Sequence, residues 1–262
     1  MSPSPNPEHP SAPTTSALVS RRNVLAGLGM AGIGAAAGIA FLRREAPPVD
    51  HHGLSSSNPR TAAEAVARLR AGNECYIEEH FNIGDDGRTA ARRIDVAPAQ
   101  HPYAIILACA DSRVAPEVVF SAGLGDLFVV RVAGNIVDPK CLGVLGSIEY
   151  AIEELKIPLI LVMGHEGCGA VKAAIHAVQK GTQPPGAIGV LTDAIRPVLE
   201  RVSADSGDLL QQAVSANVLQ QMENLLHSKQ IVAPAVASKH LQIVGGIYEL
   251  TTGRVRFLSE EG

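Results

Sequence analysis

Three short runs of almost unbroken apolar residues recur along the chain, Tyr103 to Cys109, Leu127 to Val132 and Pro158 to Met163, and a final strand is expected over Leu241 to Leu250. A strand with one wet face alternates apolar and polar residues, whereas a run without alternation suits a strand covered on both faces. Between and around the runs lie stretches with helical periodicity: Pro116 to Ala122, Cys141 to Leu155, Ala170 to Gln179, Ile188 to Val202 and Leu209 to Ser228. An earlier helix opens at Thr61, whose Thr-x-x-Glu spacing to Glu64 is a capping box. A looser stretch, Asn82 to Gln100, separates it from the first run. Strands alternating with helices predict an α/β fold, a mostly parallel sheet flanked by helices. Aromatic residues make up only 3% and Trp is absent, so Ala, Val, Leu and Ile must fill the core.

Sheets of this kind collect ligands at the carboxyl ends of their strands. Two short segments fall there. CADSR, 109–113, closes the first run, and HEGC, 165–168, follows the third. Cys109, His165 and Cys168 are residue types that zinc takes in a tetrahedron, and three ligands leave one position open, as a catalytic site needs. Asp111 and Arg113 follow Cys109 at spacings of two, which on an extended chain turns all three side chains the same way. A carboxylate beside a guanidinium stays ionised and can accept a hydrogen bond from a nucleophile at the metal. The residues alone also allow plainer readings. A cysteine ending a strand is often a buried small hydrophobe, an Asp-Ser-Arg tripeptide is often a turn with a surface ion pair, and four cysteines could form two disulfides. Ser112 as a nucleophile would need a general base, and none stands nearby in sequence.

CADSRV and GHEGCGAV, with 55 residues between Cys109 and His165, resemble the two signature motifs of the β-class carbonic anhydrases. The resemblance extends from about Thr61 to about Leu258. It takes in RLRAGN at 68–73, GDLFVVRVAGN at 125–135, GSIEYAIEELK at 146–156 and GGIYELTTGRV at 245–255. It implies a Zn2+ ion on Cys109, His165 and Cys168, and reversible hydration of carbon dioxide to bicarbonate and a proton by zinc-bound hydroxide. Asp111 and Arg113 would be the catalytic pair. Matched position by position, the family's substrate pocket falls on Gln100, Phe128 and Tyr150, with the backbone amide of Gly169. The resemblance also implies a homodimer or higher homo-oligomer, with N-terminal helices wrapping a partner subunit and with Phe128 and Tyr150 lent across the interface. Ile106 and Ala108 stand where one subgroup carries Trp and Gly, so the pattern is that of the plant-like subgroup. Two alternatives on the same scaffold are a carbon disulfide or carbonyl sulfide hydrolase and a non-catalytic zinc-binding protein. Intact Asp111 and Arg113 speak against the second.

Ahead of this domain, assigned to 60–262, lies a leader at 1–46 and a linker at 47–59. The first twenty residues are rich in Pro, Ser and Thr and read as disordered. SRRNVLAG, 20–27, then leads into an uncharged Gly/Ala-rich run, 24–42. Consecutive Arg21 and Arg22 before a mildly apolar stretch match a twin-arginine export signal, and a membrane anchor through 24–42 is the alternative. The expected location is outside the cytoplasm, in the periplasm or beyond. A net charge of −4 gives no support for nucleic-acid binding.

Overall fold

The first and third runs bury every residue, as β1 (Ala104–Ala108) and β3 (Leu159–His165). The computed structural model describes residues 58–80, 87–138, 142–202 and 208–258. The leader, with Arg21 and Arg22, and the linker up to residue 57 lie outside these, as does Cys141. Among the described residues no helix is long and apolar enough to cross a membrane.

With β2 (Leu127–Arg131), β4 (Gln242–Tyr248) and β5 (Val255–Leu258), the strands form one sheet in the order β2-β1-β3-β4-β5. The first four are parallel, and β5 pairs antiparallel with β4. The unbroken apolar runs now have a cause. Ile105, Leu107, Ile160 and Val162 point to one face, and Ala104, Ile106, Ala108, Leu159, Leu161 and Met163 to the other. Each face is roofed by helices, so neither parity of residue can be polar. A fully buried Ile or Leu side chain contributes about 1.5–3 kcal/mol, and these central strands supply much of that total.

On the second face lies α1 (Ala62–Ile77), through Ala65, Val66 and Leu69. Its capping box is formed: the Glu64 amide donates to Thr61 Oγ1, and the Thr61 amide donates to the Glu64 carboxylate. Asn73, 3% exposed, ties this helix to the sheet's far edge. Its Nδ2 donates to the carbonyls of Val119 and Gly253, and its Oδ1 accepts from the Val255 amide. The first face carries α4 (Leu142–Glu153), α5 (Gly169–Lys180), α6 (Ile188–Leu199) and α7 (Leu209–Leu225). The last of these approaches the sheet closely because Gly164 and Gly245 lack side chains. A Cβ on Gly164 would stand 2.7 Å from Val218 Cγ2, and one on Gly245 would stand 3.0 Å from Val218 Cγ1.

Three elements depart from the sequence reading. Within the looser stretch, α2 (Ala90–Val96) is capped by Thr89 but buries no residue, so it leaves no apolar period to detect. A short helix, α8 (Val232–Ala237), carries Pro234, and the four-residue β5 is an edge strand. Between β1 and β2, α3 (Pro116–Val119) forms within the helical stretch expected there. The third strand also runs further than expected: His165 is its last residue rather than lying two beyond its end.

Candidate metal centre

Cys109 leaves the carboxyl end of β1 and is 4% exposed. The chain then turns, with the Val114 amide donating to the Asp111 carbonyl. This corrects the extended-chain argument for Asp111 and Arg113. They meet because the turn folds Arg113 back onto Asp111. Asp111 Oδ1 accepts from the Arg113 amide and from Nε, at 3.0 and 2.9 Å, and Oδ2 accepts from Nη2 at 2.7 Å. A forked, charge-assisted pair of this kind fixes geometry as well as charge. These bonds from Arg113 hold the Asp111 carboxyl well below the usual carboxylate range, against the opposing effect of burial.

The turn is clamped from outside by Arg131, the last residue of β2. Its Nε donates to the Cys109 carbonyl at 3.0 Å and its Nη2 to the Asp111 carbonyl at 2.6 Å. Sequence reading gave Arg131 no role. Its partners are backbone oxygens, and no residue type in the sequence advertises those.

His165 is fully buried at the end of β3. Its Nδ1 lies 2.9 Å from the Glu166 carbonyl, so the proton belongs on Nδ1 and the Nε2 lone pair is bare. Among the described residues Nε2 has no hydrogen-bond partner, although a buried nitrogen ordinarily has one. The Glu166 peptide is itself set by a bond from its amide to the Tyr248 carbonyl on β4. Two residues on, Cys168 is the N-cap of α5 and is 1% exposed.

The three candidate ligand atoms all lie within 4.8 Å of one another. The two sulfurs are 4.0 Å apart, and two Zn–S bonds of about 2.3 Å at a tetrahedral angle would place them about 3.8 Å apart. A disulfide needs about 2.05 Å, and Cys75, Cys109 and Cys168 are free thiols. The Cys109 thiol is drawn down, chiefly by the hydrogen bond from Cys168 and also by the neighbouring His165 ring and the Gly134 amide. Cys168 is pushed up by that same bond and by burial. A buried, bare imidazole nitrogen facing two free sulfurs 4.0 Å apart is a donor set that fits zinc.

Gly134 completes the surroundings. It sits in a 3-10 turn, Ala133–Asn135, with φ 78°, where side chains are disfavoured. A Cβ there would stand 3.0 Å from Ile195 Cδ1 and 3.1 Å from the Ala170 Cβ. Its amide donates to Cys109 Sγ at 3.3 Å.

Comparison with known proteins identifies the family. A family model for carbonic anhydrase matches residues 104–255. Carbonic anhydrase 2 of Mycobacterium tuberculosis is 36% identical over 201 residues, covering 77% of this chain and 93% of its own length. A carbonic anhydrase of Mycolicibacterium smegmatis is 36% identical over 209 residues, covering 80% and 98%. Among solved structures, the Coccomyxa β-carbonic anhydrase in complex with acetazolamide superposes with a TM-score of 0.57 at 30% identity, covering 75% of this chain and 82% of that one. The chain belongs to the β-class carbonic anhydrases.

The residues expected to form the β-carbonic anhydrase substrate pocket are not all in one place. Gly169 opens α5 directly after Cys168, exposed, with nothing within 4 Å of where a side chain would begin. Gln100 is exposed in the segment that leads into β1. Phe128 and Tyr150 pair with each other, ring centroids 6.4 Å apart, and Tyr150 is 50% exposed. Phe128 stands opposite Ile105, whereas Arg131 stands opposite Ala108. Three residues of strand, about 10 Å, thus separate Phe128 from the ligand end of its own sheet.

Proposed function

We propose that this chain catalyses the reversible hydration of carbon dioxide to bicarbonate on one zinc ion held by Cys109, His165 and Cys168. The observation that carries this is the bare, buried Nε2 of His165 beside two free sulfurs, with the Asp111–Arg113 pair at the rim. Zinc, when bound, supplies Lewis acidity that lowers the pKa of water from about 15.7 towards roughly 7.

The chain's own residues do the aiming. Asp111 Oδ1 is taken up by two donors of Arg113, whereas Oδ2 accepts only one and lies 4.0 Å from His165 Nε2. Oδ2 is therefore the oxygen with capacity to accept the nucleophile's proton-bearing side, leaving a lone pair directed at the substrate. The Gly169 amide belongs to the first turn of α5, where N–H groups lack helical partners, and it donates to a substrate oxygen. Carbon dioxide is uncharged, so the rest of its pocket should be apolar, with Gln100 as a second donor.

Phe128 and Tyr150 supply the apolar wall of a neighbouring subunit's site. The distance of Phe128 along β2 from its own ligand cluster, with the Tyr150 ring paired to it, supports this arrangement, as does the exposure of Leu142 and Tyr150 on α4. The working form is a homodimer or larger homo-oligomer, its N-terminal helices laid against the partner. The intact Asp111–Arg113 pair and the residues Ile106 and Ala108 favour the plant-like arrangement, with Asp111 off the metal. Export through the signal at Arg21 and Arg22, or anchoring through 24–42, completes the reading.

Zinc analysis and hydration kinetics test this together. Purified protein should hold about one zinc per chain and hydrate carbon dioxide, and it should turn over carbon disulfide far more slowly. Cys168→Ala should lose most of its zinc and its activity. Full zinc and full activity in that variant would refute the site, and faster turnover of carbon disulfide would refute the substrate.

A further inference from the structure

The seventh helix turns a polar face inward. Asn217 and Gln221 are 1% and 0% exposed. With Asn224 they fall at i, i+4 and i+7, the stripe where a core-facing helix ordinarily carries apolar side chains. Burying amide groups is unfavourable unless each polar atom finds a partner. Here the partners are one another and the backbone of 134–137. Asn217 Nδ2 donates to the Gly134 carbonyl at 2.9 Å, and Gln221 Nε2 donates to Asn217 Oδ1 at 2.9 Å. Gln221 Oε1 accepts from the Val137 amide at 2.8 Å. Asn224 Nδ2 donates to the Val137 carbonyl at 3.0 Å and to Gln221 Oε1 at 3.1 Å.

The backbone held by this ladder is of an unfavourable kind. Two consecutive residues have positive φ, Gly134 at 78° and Asn135 at 45°. Side chains disfavour that region, so the turn persists only where its surroundings hold it. It is this turn that aims the Gly134 amide at Cys109 Sγ. Groups that hydrogen-bond metal ligands orient them and tune their donor strength.

We infer that Asn217 is a positioning residue of the metal centre: by holding the Gly134 carbonyl it fixes the turn whose amide donates to Cys109 Sγ, and so governs how strongly that sulfur binds the metal. The inference rests on the zinc site proposed above and extends it to a helix that supplies no ligand. An N–H donor draws electron density from a thiolate. When the turn loosens, the sulfur loses that bond, its lone pairs rise in energy, and its orientation toward the metal is no longer fixed.

The test compares full-length wild type, Asn217→Ala and Asn73→Ala. Asn73 is a buried asparagine with three backbone bonds on the opposite face of the sheet, so its loss reports destabilisation without touching Cys109. Each protein is loaded with cobalt(II) for its sulfur-to-metal charge-transfer band, and its zinc affinity is measured by competition with a chromophoric chelator. In Asn217→Ala the band should move to lower energy and zinc affinity should fall about tenfold. Asn73→Ala should melt earlier with band and affinity unchanged. An unmoved band and unchanged affinity in a folded Asn217→Ala would overturn the inference. Should that variant not fold, cadmium-113-loaded wild type decides: scalar coupling from the metal to the Gly134 amide proton is expected, and its absence from an assigned spectrum overturns the inference. A wild type that takes up none of the three metals defeats the zinc reading itself, an outcome distinct from failure of Asn217→Ala alone.

Discussion

Asp111→Asn keeps the shape of the side chain and removes its charge, which makes it the sharpest probe of the proposed chemistry. Arg113 reaches the carboxylate through three bonds, of 3.0, 2.9 and 2.7 Å. In the amide one oxygen becomes NH2, which must face either Arg113 or the pocket, so an acceptor is lost on one side. A hydrogen bond to a charged group contributes about 1.5–3 kcal/mol. If the bond to the nucleophile is the one lost, kcat should fall about 10- to 150-fold. Stability should fall only modestly, by about 1 kcal/mol, because Asp111 is 18% exposed but its partner Arg113 is 58% exposed, and pairs open to solvent contribute about that much or less. Zinc should stay, since no ligand atom is altered.

The pH dependence follows from the direction in which Asp111 is shifted. Its folded carboxyl is held low, so its contribution to stability is present above the unfolded value of about 3.9 and is lost as pH falls through the folded one. Throughout the neutral range it is ionised, and the substitution should lower the rate by the same factor at every pH tested there. Stopped-flow hydration on protein of known zinc content measures this. Wild-type kcat at equal zinc would refute the role assigned to Asp111, and loss of zinc with activity would make it a ligand.

Three further outcomes are expected. Gly134→Ala meets a left-handed backbone cost of about 1–2 kcal/mol and overpacking of about 1–3 kcal/mol, so Tm should fall by roughly 4–20 °C; an unchanged melting curve would contradict the geometry at Ile195 and Ala170. Light scattering at assay concentration should show a dimer or larger, and a fully active monomer would remove Phe128 and Tyr150 from the site. Replacing Arg21 and Arg22 with Lys should retain the protein inside the cell, whereas undiminished export would favour a plain anchor.

The parts of the fold legible in the sequence are those where burial acts on every residue. β1 and β3 are covered on both faces, so their runs show no alternation. By contrast, α2 buries nothing, and β5 is a four-residue edge strand with an exposed Arg256. The clustering of Cys109, His165 and Cys168 was legible because thiol and imidazole side chains themselves carry the chemistry. Asp111 and Arg113 were correctly paired on a mistaken geometry, a turn having been read as extended chain. Arg131, Gly134 and Asn217 went unnoticed for one shared reason. Each contributes through a main-chain group, whether a carbonyl held or an amide aimed, and side-chain identity says little about where main-chain groups will lie.

The dependence of His165 on Tyr248 and of Gly134 on Asn217 also sets an order of assembly. All three candidate ligands emerge from the ribosome before α7 and β4 are synthesised. Until those arrive, the Glu166 peptide has no β4 carbonyl to fix it, and the turn beneath Cys109 has no amide ladder to hold it. A nascent chain can expose its two cysteines and its histidine without presenting them as one chelating unit. If this cluster is the proposed zinc site, a chain truncated within α7 should bind zinc no better than an unfolded peptide with the same three side chains.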